Sequence, residues 1–210
     1  MKPGNLVGIP AGKPTGVILA GGRSSRMGVG RKALLKLNDR PLLAHVIDRL
    51  QPQVDSLLLS CESHTNDFDD FGLKLIPDLL PRHRGPLTGL CSALQHMVAK
   101  KQDHGLLLCP CDAPFIPLDL VKTLVDADQD ESKPVVVVSY QGVLQPTFSL
   151  WHKHHFPVIH EAVVTRGQGG LKHMLDSIPH QVVEWPEAEP SPFFNINTPE
   201  EFEIAAAWLD

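Results

Sequence analysis

Several chemistries that would declare themselves in a sequence are missing from this one. Cysteine is scarce, four in 210 residues, and none stands at Cys-x-x-Cys or zinc-ribbon spacing, so no zinc ribbon or dithiol redox motif is encoded. Positive charge is in deficit, with 19 Lys and Arg against 24 Asp and Glu and a net charge of −5. That excludes a nucleic-acid binder held by bulk charge, and any phosphate must be gripped locally. Long apolar runs are absent as well. The longest, at 204–209, has six residues, where a membrane span needs about 20. Residues 1–15 hold Pro3, Pro10, Pro14 and three glycines instead of the apolar core of a signal peptide, and they read as a loose leader. Without an export signal, Cys61, Cys91, Cys109 and Cys111 are expected to be reduced, buried thiols of a cytoplasmic protein.

Three familiar catalytic signatures are missing too. Gly12-Lys13 is followed by Pro14, so there is no phosphate-binding P-loop. Gly28-x-Gly30 runs on to Ala33 rather than to a third glycine, so the dinucleotide fingerprint fails. No Gly-x-Ser-x-Gly occurs, which removes the nucleophile elbow of a serine hydrolase.

What is present is a foldable chain, 42% apolar and 20% charged, in which short apolar runs alternate with helical periodicities. Strands are expected at 16–20, 57–59, 73–76, 106–109, 135–138, 143–151 and 181–185. Helices are expected at 41–51, 86–101, from about Pro117 (carrying Leu118, Val121, Leu124 and Val125), within 152–165 and at 171–177. A last helix is announced by Thr198 as N-cap, Pro199 at the first position and Glu201 completing a capping box. This pattern reads as an α/β, three-layer Rossmann-like sandwich with a mainly parallel sheet, one domain over residues 16–210. Such sheets bind ligands outside the carboxyl ends of their strands. The positions that follow the strands, Gly21-Gly22, Ser60, Asp78, Asp112 and Gln145-Pro146, are therefore expected to meet at one rim.

The densest signal is residues 19–32, where a buried strand delivers four glycines and four cationic side chains within fourteen residues. Glycines let backbone N–H groups approach anionic oxygens, and Arg23, Arg26 and Lys32 can add charge-assisted bonds to phosphates. A solvated surface loop is the plainer alternative. In Cys109-Pro110-Cys111-Asp112-Ala113-Pro114, an aspartate at a strand tip is stiffened by prolines. Its carboxylate suits Mg²⁺, which takes one or two carboxylates plus substrate phosphates, although an aspartate also caps turns. Asp78 is read either as a ligand contact or as a turn residue. Asn195 and Asn197 alternate around Ile196, so both amides are expected to point the same way. His152, His154, His155 and His160 read as a solvated helix face, and Cys109 and Cys111 as packing residues.

Taken in order, Leu-Ala-Gly-Gly-Arg-Ser-Ser-Arg-Met-Gly at 19–28 with Lys32, Gly-Pro-Leu-Thr-Gly-Leu at 85–90, Cys-Pro-Cys-Asp-Ala-Pro at 109–114 and Asn-Ile-Asn-Thr-Pro-Glu-Glu at 195–201 resemble the molybdenum cofactor guanylyltransferases. That family lies within the wider nucleotidyltransferase group, and the likeness spans about residues 16–209. The resemblance implies a Rossmann-like fold and transfer of GMP from Mg-GTP to the terminal phosphate of the molybdopterin cofactor, with release of pyrophosphate. By the same resemblance, Leu19, Ala20, Gly21, Gly22, Lys32, Ser60, Asp78 and Asp112 would contact GTP. Lys32, Asp112, Arg23 and Arg26 would be catalytic, Asp112 and Asn197 would hold Mg²⁺, and Asn195, Asn197 and Gln145 would meet the acceptor. Cofactor-delivery proteins or recipient molybdoenzymes are the implied partners; nucleic acid and membrane are not. The chain departs from the family pattern at Arg31, Ser60 and Gly169-Gly170. A related enzyme using CTP or a sugar phosphate, and a nucleotide- or cofactor-binding protein without turnover, are the competing readings.

Overall fold

The computed structural model describes residues 12–21, 31–63, 65–80, 85–100, 105–128 and 132–209. Gly22, Arg23 and Arg26, three of the sequence-derived site residues, lie outside these, as do residues 1–11 of the leader.

The seven main strands are β1 (Thr15–Leu19), β4 (Ser56–Cys61), β5 (Lys74–Pro77), β6 (Leu106–Pro110), β7 (Val135–Tyr140), β8 (Val143–Trp151) and β9 (Gln181–Trp185). They form one sheet in the order β5-β4-β1-β6-β8-β7-β9. Every neighbouring pair is parallel except those made by β8, which runs antiparallel to both β6 and β7. The sheet is therefore mainly parallel, as the apolar runs require: strands covered on both faces read as continuous hydrophobic stretches. All six residues of β7 are buried.

Helices cover both faces. Leu43, Val46 and Leu50 of α1 (Leu42–Leu50) and Leu120, Val121 and Leu124 of α3 (Leu120–Ala127) pack against Ile18, Leu59, Leu107 and Val136. On the opposite face, α2 (Pro86–Ala99) and α5 (Leu171–Ser177) bury Leu90, Leu94, Met174 and Leu175 against Val17, Leu58, Leu108 and Val137. Alternate side chains of each strand thus feed two separate cores, which is the three-layer sandwich expected. Next on this face, the chain after β8 runs through a 3₁₀ turn, α4 (Phe156–His160) and a π-helical turn at Glu161–Thr165.

The structure adds a hairpin that the sequence pattern did not reveal. Strands β2 (Lys36–Leu37) and β3 (Arg40–Pro41) pair through Asn38 and Asp39, both at positive φ, 47° and 61°. Asn and Asp are the side chains that best tolerate this left-handed turn, and strands of two residues show no periodicity. Helix α6 (Pro199–Ala207) begins as read: Thr198 accepts from the Glu201 N–H, and the Glu201 carboxylate returns to the Thr198 N–H at 3.0 Å. Two expectations fail. Helix α3 starts at Leu120 rather than near Pro117, so Leu118 sits outside it and is 68% exposed. The histidines after β8 form a solvated face only in part: His154 is exposed, while His155 and His160 are half-buried. His152 is buried, and its ring Nε2 lies 2.9 Å from Asp128 Oδ1. The partner is 24 residues away in sequence and arrives from the end of α3, out of reach of any local spacing rule.

Candidate active site

The carboxyl ends of β1, β4 and β6 are stitched together by backbone hydrogen bonds that continue past the strands. The Ala20 N–H donates to Ser60 O, Cys111 N–H to Leu19 O and Asp78 N–H to Cys61 O, at 2.8 to 3.2 Å. The late asparagine segment joins the same rim, because the Ile196 N–H donates to Asp112 O at 3.0 Å. Ile196 itself is buried in a third small core with Leu37, Leu42, Phe115 and Ala205. Its burial anchors the two flanking asparagines beside β6.

These elements enclose a cleft of about 420 Å³ whose lining includes Leu19, Gly21, Lys32, Ser60, Asp78, Asp112 and Asn197. Seven of the residues read from the sequence as nucleotide or metal contacts therefore converge on one space. Ala20 belongs to the same turn but is buried behind it. Pro86, Gly89, Pro110, Cys111 and Thr147 complete the wall, and sequence reasoning had assigned none of them to the site. The signal for two was present in Gly-Pro-Leu-Thr-Gly: proline opens α2 and a glycine sits in its first turns. A Cβ on Gly89 would stand 2.6 Å from both Leu19 Cδ2 and Ser60 Oγ. The missing side chain lets the helix approach the strand ends.

The charged centre is Lys32, Asp112 and Asn197. The Lys32 ammonium donates to Asp112 Oδ2 and, at 2.7 Å, to Asn197 Oδ1. The Lys32 and Asp112 side chains are only 11% and 14% exposed. Among the described residues, Asp112 Oδ1 is buried without a hydrogen-bond partner. A buried ion pair is a poor way to stabilise a fold, because desolvation offsets much of its attraction. Pairing a concentrated charge with an unsatisfied oxygen is instead what a cleft built for another charged group presents.

Neighbouring groups separate from this centre. Arg31 turns away from the cleft, its Nε 2.5 Å from Asp67 Oδ2 and its guanidinium 5.4 Å above the Phe68 ring. The departure at Arg31 therefore puts no extra charge into the cleft. Ser60 Oγ lies 3.4 Å from Asp78 Oδ1, so those two residues form one polar wall. Gly169 gives its carbonyl to the Leu87 N–H, 3.1 Å away, where a Cβ on Gly85 (φ 102°) would collide with it. Cys109 and Cys111 are packing thiols as expected: burial, assisted by the nearby Asp112 charge, pushes both well above the ordinary thiol value.

A second, larger cleft of about 920 Å³ adjoins the first. It is lined by Tyr140, Gln145, Glu187, Glu189, Phe193, Phe194, Asn195 and Trp208, among others, and by Asn197, which also lines the smaller cleft. Both asparagines thus face the larger space, and Asn197 stands where the two spaces meet. Gln145 lies on the part of β8 that extends past its pairing with β6.

Among the described residues no group of three His, Cys, Asp or Glu side chains could hold a metal ion, and no helix is long and apolar enough to cross a membrane.

The fold and its cleft agree with the class that the family match defines, an α/β nucleotidyltransferase. The chain belongs to the family of MobA-like NTP transferase domains, whose model matches residues 16–182. It is 37% identical to the molybdenum cofactor guanylyltransferase of Rhodopseudomonas palustris over 88% of this chain and 89% of that protein. The protein of the same name from Vibrio cholerae is 39% identical over 88% and 87%. Among solved structures, molybdopterin-guanine dinucleotide biosynthesis protein A from Archaeoglobus fulgidus superposes with a TM-score of 0.76 at 18% identity, covering 93% of this chain and 98% of that one. That last likeness is one of fold.

Proposed function

We propose that this chain transfers GMP from GTP to the molybdopterin form of the molybdenum cofactor and releases pyrophosphate. The observation that carries the reading is the convergence of Lys32, Asp112 and Asn197, 80 and 165 residues apart from Lys32 along the chain, in one part-buried cleft beside a second cleft large enough for an acceptor. The names of the relatives supply the identity of donor and acceptor.

The chemistry follows from charge. A phosphate oxygen of the acceptor attacks the α-phosphorus of GTP, the bond from that phosphorus to the β-phosphate bridging oxygen breaks, and pyrophosphate leaves. An acceptor phosphate monoester, with a second pKa of about 6, is already ionised at neutral pH, so no general base is required. The obstacle is repulsion between anions. Lys32 and the backbone at Gly21 neutralise and orient the triphosphate for in-line attack. Asn195, Asn197 and Gln145 position the acceptor, with Asn197 placed to touch both substrates.

The donor set at Asp112 fits a hard divalent cation. It offers a buried carboxylate oxygen with no partner among the described residues and the neutral amide oxygen of Asn197. One carboxylate with few companions is what Mg²⁺ accepts when substrate phosphates complete its shell. Asp112 and Asn197 would hold Mg²⁺, and the ion would supply charge neutralisation at the triphosphate. A cytoplasmic location is part of the same reading.

Purified protein given Mg-GTP is expected to release pyrophosphate only when molybdopterin is present, with CTP and UTP far poorer donors. Equal turnover with CTP would overturn the base assignment. Tight GTP binding with no release in the presence of acceptor would leave a binding protein.

A further inference from the structure

The cleft presents three oxygens to a hard cation: both carboxylate oxygens of Asp112 and Oδ1 of Asn197. The Lys32 ammonium holds two of them, Asp112 Oδ2 and Asn197 Oδ1. An ammonium and a divalent ion seek the same partners, compact negative or neutral oxygens, and each is repelled by the other at ligand distance. We propose that Lys32 competes with the divalent cation for Asp112 and Asn197, and that the incoming triphosphate draws the ammonium away. The inference rests on Asp112 being a metal ligand, as argued above. Its consequence is that metal is taken up together with nucleotide rather than before it. The four methylenes of Lys32 give its ammonium the reach to exchange carboxylate for phosphate while its backbone stays in the short helical turn Lys32–Leu34.

The test counts bound Mn²⁺ by its spin-resonance signal, in the full chain, with and without GTP. Lys32→Met keeps the length of the side chain and removes the charge. Without nucleotide the variant is expected to bind Mn²⁺ at least about tenfold more tightly than the wild type, because a unit charge within a few ångströms of the ion has gone. With GTP the order is expected to reverse, since the triphosphate has then lost its lysine. A lysine that merely props up the site would lower affinity in both conditions. Unchanged or weaker binding by the nucleotide-free variant overturns the proposal. Should the variant melt before it can be measured, the wild-type protein carrying ¹³C-lysine gives the same answer. The Lys32 ε-carbon resonance must shift as Mg²⁺ saturates the site, and a resonance that stays put while the ion binds refutes the competition. No ion bound by either protein, with or without GTP, removes the metal reading of Asp112 as well; bound ion without the difference removes the competition alone.

Discussion

The two adjoining clefts present opposite environments at the same rim of one sheet. The smaller is built where parallel strands end together. Its lysine and aspartate are largely shielded from solvent, backbone bonds hold its walls, and among the described residues the Lys32–Asp112 ion pair sits beside a carboxylate oxygen with no hydrogen-bond partner. The larger opens where β8 runs antiparallel past the end of β6, and its lining carries aromatic rings, amides and the carboxylates of Glu187, Glu189 and Glu201, with no lysine or arginine among the described residues. On the proposed function the triphosphate lies in the first, against Lys32, and the pterin end of the acceptor in the second. On the same proposal, the division makes charge neutralisation and acceptor recognition separate tasks, joined at Asn197.

Substitutions can break that comparison, beginning with the largest effect. Asp112→Ala is expected to abolish transfer while leaving the circular dichroism spectrum and the melting transition of a folded protein. Wild-type turnover in that variant would dissolve the distinction between the clefts. Lys32→Ala should lower kcat on the order of 10²–10³, the scale of losing one preorganised donor to a transition-state anion; single-turnover rates decide it, and an unchanged rate would place the lysine outside the reaction. A paired experiment sharpens the contrast. Gly89→Ala pushes a methyl into Leu19 and Ser60, so it should raise the KM for GTP and spare the KM for the acceptor. Gln145→Ala should do the reverse by roughly tenfold or less, the worth of one or two hydrogen bonds. Identical shifts in both constants would mean a single merged site.

The smallest effect serves as a distant control. His155 lies beyond the end of β8, at the opposite rim from both clefts, and burial with its neighbours His154 and His152 lowers its pKa to about 4. Its ring is therefore neutral in the folded chain at pH values where the unfolded chain, at its ordinary 6.5, already binds a proton. Stability should fall as pH drops from about 6.5 towards about 4, and His155→Gln should flatten that slope in urea melts. The ratio of the two KM values should not move.

Much of the smaller cleft could be read directly from residue order, because a parallel sheet converts strand ends into neighbours. Gly21, Ser60, Asp78 and Asp112 are each the residue at, or just past, a strand's end, and topology alone gathers them. Lys32 was legible as a cation in a glycine-rich loop and Asn197 as half of an alternating asparagine pair, with their roles implied by the resemblance, and the Asn197 bond to Lys32 needed coordinates. The larger cleft was less legible. Gln145 and the asparagines were named, but Tyr140, Phe194, Trp208 and the two glutamates near 188 belong to no motif and meet only through tertiary packing. The His152–Asp128 contact failed for the same reason. Leu118 misled because its spacing matched a helical stripe that begins two residues later. The hairpin at Asn38-Asp39 was too short for periodicity to register.

The bond from Lys32 to Asn197 spans 165 residues, and this has a bearing on how the protein is born. A ribosome that has emitted β1, β4 and β6 has already produced the glycine turn, Lys32 and Asp112, but the amide that completes the centre is still untranslated. At 5–20 residues per second that interval is roughly ten seconds. Throughout it the lysine and the aspartate lack their third member, so on the proposed function the centre is completed only near the end of synthesis.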